Sequence, residues 1–115
     1  MEEIFERAVR SAGDYAGVFE FDGDVGFFYL YKTQANQGNK VQDSTHIFSD
    51  DADLLESDIV VQWDIDEQSV GLLIKGVLWA TFDCNRLEKF GGYYKPNAES
   101  SVPKARRLAW LQRPE

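Results

Sequence analysis

Hydrophobic and polar residues alternate along much of the chain between residues 15 and 83. Two such runs, Tyr15 to Phe21 and Val25 to Tyr31, are joined by the turn sequence Asp22-Gly23-Asp24 and predict an antiparallel hairpin. Apolar side chains occupy both alternations of the second run. This pattern predicts a central strand that is covered on both faces.

Further alternating runs follow a polar loop at residues 33–40. Ser44 to Phe48 predicts a short strand, and residues 59–83 predict a three-stranded meander. The strands of the meander are Ile59 to Trp63, Val70 to Ile74 and Val77 to Asp83, and Lys75-Gly76 forms the second reversal. The runs together predict a mainly β protein of about six antiparallel strands, arranged as a sandwich or a partly open barrel.

Helical spacing of apolar residues occurs near both ends of the chain. In the first segment the residues at this spacing are Ile4, Phe5, Ala8, Val9 and Ala12. They predict a short amphipathic helix over residues 2–12 that ends at Gly13. Residues 104–112 are a second candidate helix within a loop and basic tail, residues 95–115. No repeat is present, so we expect a single domain, 1–115, with its β core at residues 15–83.

Net charge and cysteine content indicate which partners and which cellular compartment suit the protein. The net charge is −8, and no basic residue occurs between Asp50 and Glu67. This acidic field disfavours nucleic acid as a partner, because it repels phosphate. A single cysteine, Cys84, predicts a reducing compartment. The acidic start lacks the pattern of an export signal, and the apolar runs are too short to span a bilayer, so we expect a cytoplasmic protein that does not bind membranes.

The hairpin also carries a resemblance to a known family. The segment Val18-Phe19-Glu20-Phe21-Asp22-Gly23-Asp24-Val25-Gly26-Phe27-Phe28-Tyr29 resembles the V-F-E-x-D-G-x-x-G-Y/F-F-Y signature of a family of small bacterial proteins of unknown function. His46-Ile47-Phe48 stands where that family has an H-I-Y/F strand, and the likeness covers residues 15–85. The resemblance implies a shared fold, and it supplies no catalytic residue.

Acidic turns and abundant aromatic residues make a binding or interaction module the leading hypothesis. Its partner would be a basic protein, as for an inhibitor or an immunity-like protein, and the aromatic surplus also favours a homodimer. The acidic residues of the candidate partner surface are Asp50, Asp51, Asp53, Asp64, Asp66 and Glu67. The alternative hypothesis is a small-ligand domain with an aromatic pocket. The candidate pocket residues are Phe19, Phe27, Tyr29, Tyr31 and His46.

An enzyme is the least favoured class, and we assign no catalytic, cofactor or metal site. His46 is the candidate base and Cys84 the candidate nucleophile, but neither lies in a motif that supplies a catalytic neighbour. The Asp-rich turns match no calcium-loop spacing, and Asp is common in turns because it bonds to its own backbone. Weak binding of a divalent cation would regain support if the turns at 22–24 and 64–67 lay at the same end of the sheet.

Overall fold

Eight antiparallel strands form two four-stranded sheets in the computed structural model, which describes residues 3–33, 41–49, 54–84, 86, 88–95 and 98–111. The first sheet has the order β1-β2-β3-β4 and the second has the order β5-β6-β7-β8. The strands of the first sheet are β1 (Ile4–Val9), β2 (Tyr15–Phe21), β3 (Val25–Lys32) and β4 (Val41–Ser49). The strands of the second are β5 (Ile59–Trp63), β6 (Ser69–Ile74), β7 (Val77–Asp83) and β8 (Glu88–Gly91). A single 3-10 turn, Glu56–Asp58, and one α-helix, α1 (Lys104–Leu111), complete the described elements.

The predicted N-terminal helix is wrong, because residues 4–9 form strand β1. This strand pairs with β2 in a regular antiparallel register from Ile4 opposite Phe21 to Val9 opposite Ala16. An isolated helix of about eleven residues is only marginally stable in water, whereas β2 offers a row of unpaired backbone groups that β1 satisfies. Gly13, expected to end the helix, instead adopts a φ of 77° in the loop between β1 and β2.

The six strands expected from the alternating pattern are all present, and β1 and β8 are added to them. The reversal at Lys75-Gly76 is a two-residue hairpin, since Ile74 pairs with Val77. Both turn residues have positive φ, 53° and 81°, as the favoured two-residue hairpin turn requires. Strand β8 was missed because it has only four residues, none of them fully buried.

The inner faces of the two sheets share one hydrophobic core. Strands β2 and β3 contribute mainly phenylalanine, β6 contributes aliphatic side chains, and β7 contributes Trp79, Ala80 and Phe82. The large core side chains that are almost completely buried are Phe19, Phe21, Phe28, Phe82, Leu30, Ile47, Leu72, Ile74 and Val70. Trp63 and Trp79, expected to be core residues, are buried in the same core. The sheets form a sandwich, not a closed barrel.

Hydrogen bonds connect the outer strands of the first sheet to the rest of the sandwich at opposite margins. Trp63 on β5 donates from Nε1 to the carbonyl oxygen of Ala8 on β1, at 2.9 Å. At the other margin, the backbone N–H of Tyr94 donates to the carbonyl oxygen of Ile47 on β4, at 2.6 Å. These bonds satisfy backbone groups at the outer strands of the first sheet, where no further strand pairs with them.

Helix α1 covers the outer face of the second sheet. Trp110 is buried with Leu73, Leu78 and Val102 in a second hydrophobic cluster, and its indole Nε1 donates to Gln62 Oε1 at 3.1 Å. A Cβ atom at Gly71 would lie 2.8 Å from the Trp110 ring. The absence of a side chain at Gly71 therefore leaves the space that the indole occupies. Part of the segment predicted as a loop and basic tail, residues 95–115, thus packs against the second sheet as helix α1.

Candidate functional site: the outer groove of the first sheet

The outer face of the first sheet carries three rows of side chains, because directly paired residues of antiparallel strands project to the same side. Read from β1 to β4, the rows are Phe5, Glu20, Phe27 and His46; Arg7, Val18, Tyr29 and Ser44; and Val9, Ala16, Tyr31 and Val41. The middle strands therefore present apolar and aromatic groups on this face as well as on the core side. Strand β3 is central, as predicted, but Phe27, Tyr29 and Tyr31 are only partly buried, so the expected cover on both faces is wrong for this face within the described residues.

These rows enclose an open groove with a volume of about 430 Å³. Its floor is formed by Ala16 and Val18 on β2, which are only 3% and 9% exposed. The side walls are formed by Phe5, Arg7 and Val9 on β1 and by Tyr29 and Tyr31 on β3. Thr33 and Val41 line the groove at the end away from Glu20. All lining residues come from the first sheet and Thr33, whereas the second sheet has its outer face covered by α1.

The shape of the groove follows from the strand that forms its floor. Strands β1 and β3 lie on either side of β2, so their backbones are about 10 Å apart. From Ala16 to Glu20 the floor extends about 14 Å along β2. Small side chains in the middle and large ones on both sides therefore make a long, narrow trough. Its volume falls within the range of roughly 300–1,000 Å³ that small-molecule sites occupy.

Polar groups are concentrated at the Glu20 end of the groove. The Tyr29 hydroxyl donates a hydrogen bond to Glu20 Oε1 at 3.1 Å. Burial and the neighbouring Glu20 raise the pKa of Tyr29, so the hydroxyl stays protonated and remains a donor at neutral pH. Arg7, one row away on β1, adds an exposed guanidinium. An apolar trough with a few polar groups at one end can hold and orient an elongated ligand.

A line of stacked rings continues from the groove across the sheet. The rings of Tyr29 and Phe27 stack with centroids 6.2 Å apart, and Phe27 is followed by His46 at 5.4 Å. His46 in turn stacks on Tyr93 at 5.3 Å. His46 therefore lies in an exposed aromatic surface, between the rings of Phe27 and Tyr93.

The sequence-predicted pocket residues divide between the two faces of the sheet. Tyr29 and Tyr31 line the groove, and Phe27 and His46 continue the row of Phe5 and Glu20 beyond it. Phe19 instead is completely buried in the core. It pairs with Phe28, so its side chain projects to the side opposite Phe27.

Several groove residues were missed by sequence reasoning. They are Phe5, Arg7, Val9, Ala16, Val18, Glu20, Thr33 and Val41. Those on β1 were hidden by the helical interpretation of residues 2–12. The alternation of Phe5, Arg7 and Val9 with Ile4, Glu6 and Ala8 is the signal that fits a strand, with one set facing the groove and the other facing inward.

The residues of the predicted acidic surface do not form one described patch. Asp50, Asp51 and Asp53 lie outside the described residues. Asp64 Oδ1 accepts hydrogen bonds from the backbone N–H groups of Gln68 and Ser69, and so shapes the turn between β5 and β6. In the same turn the backbone of Asp66 accepts a bond from the Gln68 side chain.

Glu67 fastens this turn to the loop between β1 and β2. Its carboxylate Oε2 accepts hydrogen bonds from the Ser11 hydroxyl at 2.8 Å and the Ser11 backbone at 3.2 Å. Its carbonyl oxygen accepts one from Arg10 Nη1 at 3.0 Å. The turn at residues 64–67 therefore lies at the β1–β2 loop end of the sandwich. The turn at residues 22–24 lies at the other end of β2, so the arrangement that would have supported a divalent cation is absent from these two turns.

The remaining candidate for chemistry, Cys84, is buried just after β7. Burial raises its pKa to about 11, which keeps the thiol protonated at neutral pH and opposes a nucleophilic role. Within the described ranges, no group of three or more His, Cys, Asp or Glu side chains is placed to hold a metal ion. In the same part of the chain, no helix has the length and apolar character that crossing a membrane requires.

The fold and the groove define a small two-sheet antiparallel β protein with one outer face covered by its own helix and the other forming a trough. The chain belongs to an uncharacterised protein family conserved in bacteria (DUF2251), whose model matches residues 2–112. The resemblance to a bacterial family of unknown function is thus confirmed, while the signature proposed for it stays a prediction. No curated protein and no solved structure matches the chain.

Proposed function

We propose that this protein is a non-catalytic binding protein, and that the outer groove of the first sheet holds a small ligand with an apolar body. The observation that carries the proposal is the trough itself, in which Ala16 and Val18 form a sheltered floor between two walls of large side chains. A hydrophobic ligand gains free energy here by covering the exposed parts of Phe5 and Val9, which are 54% and 49% exposed.

This proposal develops the aromatic-pocket hypothesis and gives it different residues. Phe19 does not line the groove. Residues of β1 and β2 line it together with Tyr29 and Tyr31 from the predicted pocket. The leading sequence hypothesis, a basic protein partner bound by the acidic turns, receives less support because Asp64 and Glu67 bond within the protein. We retain a cytoplasmic location as part of the proposal, since a reducing compartment suits a single buried thiol.

The test is a thermal-shift screen of small aromatic and aliphatic fragments against three proteins. Val18→Trp fills the floor of the groove, and Val77→Trp makes the same substitution at an exposed site on the second sheet. We expect hits to stabilise the wild type and Val77→Trp but not Val18→Trp. A ligand at a hundred times its Kd stabilises by about 2.7 kcal/mol, which for about 100 residues raises Tm by roughly 10 °C. No hit at all, or equal shifts in the Val18→Trp protein, would contradict the proposal.

The homodimer remains a separate proposal, supported by the exposed apolar side chains of β1. Light scattering in solution distinguishes a monomer of 13.1 kDa from a particle of twice that mass. A monomer at all concentrations would reject the dimer and leave the groove proposal intact.

A further inference from the structure

A second, acidic cavity lies beside the Glu20 end of the groove. This cavity has a volume of about 330 Å³ and shares Phe5 and Glu20 with the groove. Its other charged lining residues are Glu3, Asp22 and Glu56. Among the described residues, the charged groups that line the two adjacent cavities are therefore four carboxylates and one guanidinium, that of Arg7.

Two of these carboxylates are held in position by hydrogen bonds. Asp22 Oδ1 accepts bonds from the backbone N–H groups of Asp24 and Val25, both at 2.9 Å, and these bonds lower the pKa of Asp22. Glu20 is held by the Tyr29 hydroxyl at 3.1 Å. Both carboxylates are thus placed before a ligand arrives, which reduces the entropy lost on binding.

Aromatic rings lie beside the same acidic end. Phe27 pairs directly with Glu20 across β2 and β3, and its ring stacks on Tyr29. Ring faces attract ammonium groups, and carboxylates bind them through charge-assisted hydrogen bonds. The described residues that line the opposite end of the groove, Thr33 and Val41, are uncharged and suit the end of an apolar body.

We propose that the ligand of the groove is a cationic amphiphile, with its apolar body along Ala16 and Val18 and its ammonium group beside Glu20. This inference rests on the proposed function and adds the chemical class and orientation of the ligand. An anionic head group at this end would be repelled by Glu20 and its neighbouring carboxylates, which outnumber the single guanidinium of Arg7. A neutral head group would gain no ion pair with them. The floor of about 14 Å sets the length of the body at an aromatic ring with a short alkyl chain.

The test compares three probes that share one apolar body: phenylbutylamine, phenylbutanol and phenylbutyrate. Their Kd values are measured by amide NMR titration at low salt. We expect the amine to bind about tenfold more tightly than the alcohol, because one charge-assisted hydrogen bond contributes a difference of about this size. The carboxylate should bind most weakly. Raising the salt concentration should reduce the preference for the amine, because the cavities are open to solvent.

Glu20→Gln tests the position of the ammonium group, since it removes the charge and keeps the shape. The variant should lose most of the preference for the amine and bind the alcohol as the wild type does, which also verifies that the groove is still folded. Glu99→Gln, a matched change at an exposed residue beside the second sheet, should keep the full preference.

The outcomes separate this inference from the proposed function. If the alcohol binds in the groove as tightly as the amine, or if the carboxylate binds most tightly, the cationic class is wrong and the groove remains a binding site. If Glu20→Gln retains the full preference for the amine, the ammonium group does not lie at Glu20. If none of the three probes binds, both proposals fail.

Discussion

A double-mutant cycle at Gly71 and Trp110 tests whether α1 covers the second sheet in solution. A Cβ atom added at Gly71 would lie 2.8 and 3.0 Å from two atoms of the Trp110 ring and 2.6 Å from the end of the Leu78 side chain. Carbon atoms do not approach so closely, so Gly71→Ala forces the indole and Leu78 to move. The closeness of the ring predicts that the effects of the two substitutions are coupled.

The magnitudes follow from overpacking and from the loss of a buried ring. Gly71→Ala should cost about 1–3 kcal/mol through overpacking, partly offset by about 0.5–1 kcal/mol from the lower entropy of the unfolded chain. Trp110→Ala should cost about 3–5 kcal/mol, because the indole is almost fully buried. Without the ring, the nearest atom to alanine at position 71 is the flexible end of Leu78. We therefore expect a coupling free energy of about 1–2 kcal/mol.

The assay is urea denaturation followed by far-ultraviolet circular dichroism, so that removing a tryptophan does not alter the signal. Gly76→Ala serves as the control, because a Cβ atom there meets nothing within 4 Å and the cost comes only from its φ of 81°. It should be additive with Trp110→Ala. If Gly71→Ala and Trp110→Ala also add to within about 0.5 kcal/mol, the indole does not lie over Gly71 and the reasoning is refuted.

Three further predictions concern the core, the thiol and the Arg10–Asp14 ion pair. Gly17→Ala should destabilise the protein by about 1–3 kcal/mol in urea, because its Cβ would overlap the Val70 side chain in the other sheet; an unchanged midpoint would contradict the inter-sheet contact. Cys84, with its pKa raised from 9.0 to about 11, should react with a thiol reagent about a hundredfold more slowly when folded than in denaturant, and equal rates would show an accessible thiol. The hydrogen bond from Arg10 lowers the pKa of Asp14 in the folded protein. Asp14→Asn should therefore lower the free energy of unfolding at neutral pH, and its value should approach that of the wild type as the pH falls below 3.8. A difference that does not depend on pH would refute this linkage.

The strands that could be predicted from the sequence are those whose alternation is reinforced by turn chemistry. The hairpin at Asp22-Gly23-Asp24 and the turn at Lys75-Gly76 set the ends of four strands. Residues 4–9 are followed by Gly13, which fits the end of a helix as well as a turn between strands, and their apolar positions also fit both structures. Only the unpaired edge of β2, a feature of the folded protein, decides between these two structures.

The groove was harder to predict because it depends on register. The sequence alternation correctly indicated that β3 is apolar on both faces, but it put the side chains of Phe19 and Phe27 on the same face of the sheet. The observed pairing of Phe19 with Phe28 puts odd-numbered residues of β2 on the same face as even-numbered residues of β3. A shift of one residue exchanges the two faces completely, and the sequence alone does not determine this shift.

The central claim is that the outer face of the first sheet is a ligand-binding groove. The most direct measurement is an amide NMR titration of the wild-type protein with phenylbutanol, the neutral probe, which requires no charge at Glu20. The account predicts shifts for residues of the three outer rows, centred on Ala16 and Val18, with little change in α1. Shifts confined to the second sheet, or no shifts at saturating probe, would contradict it.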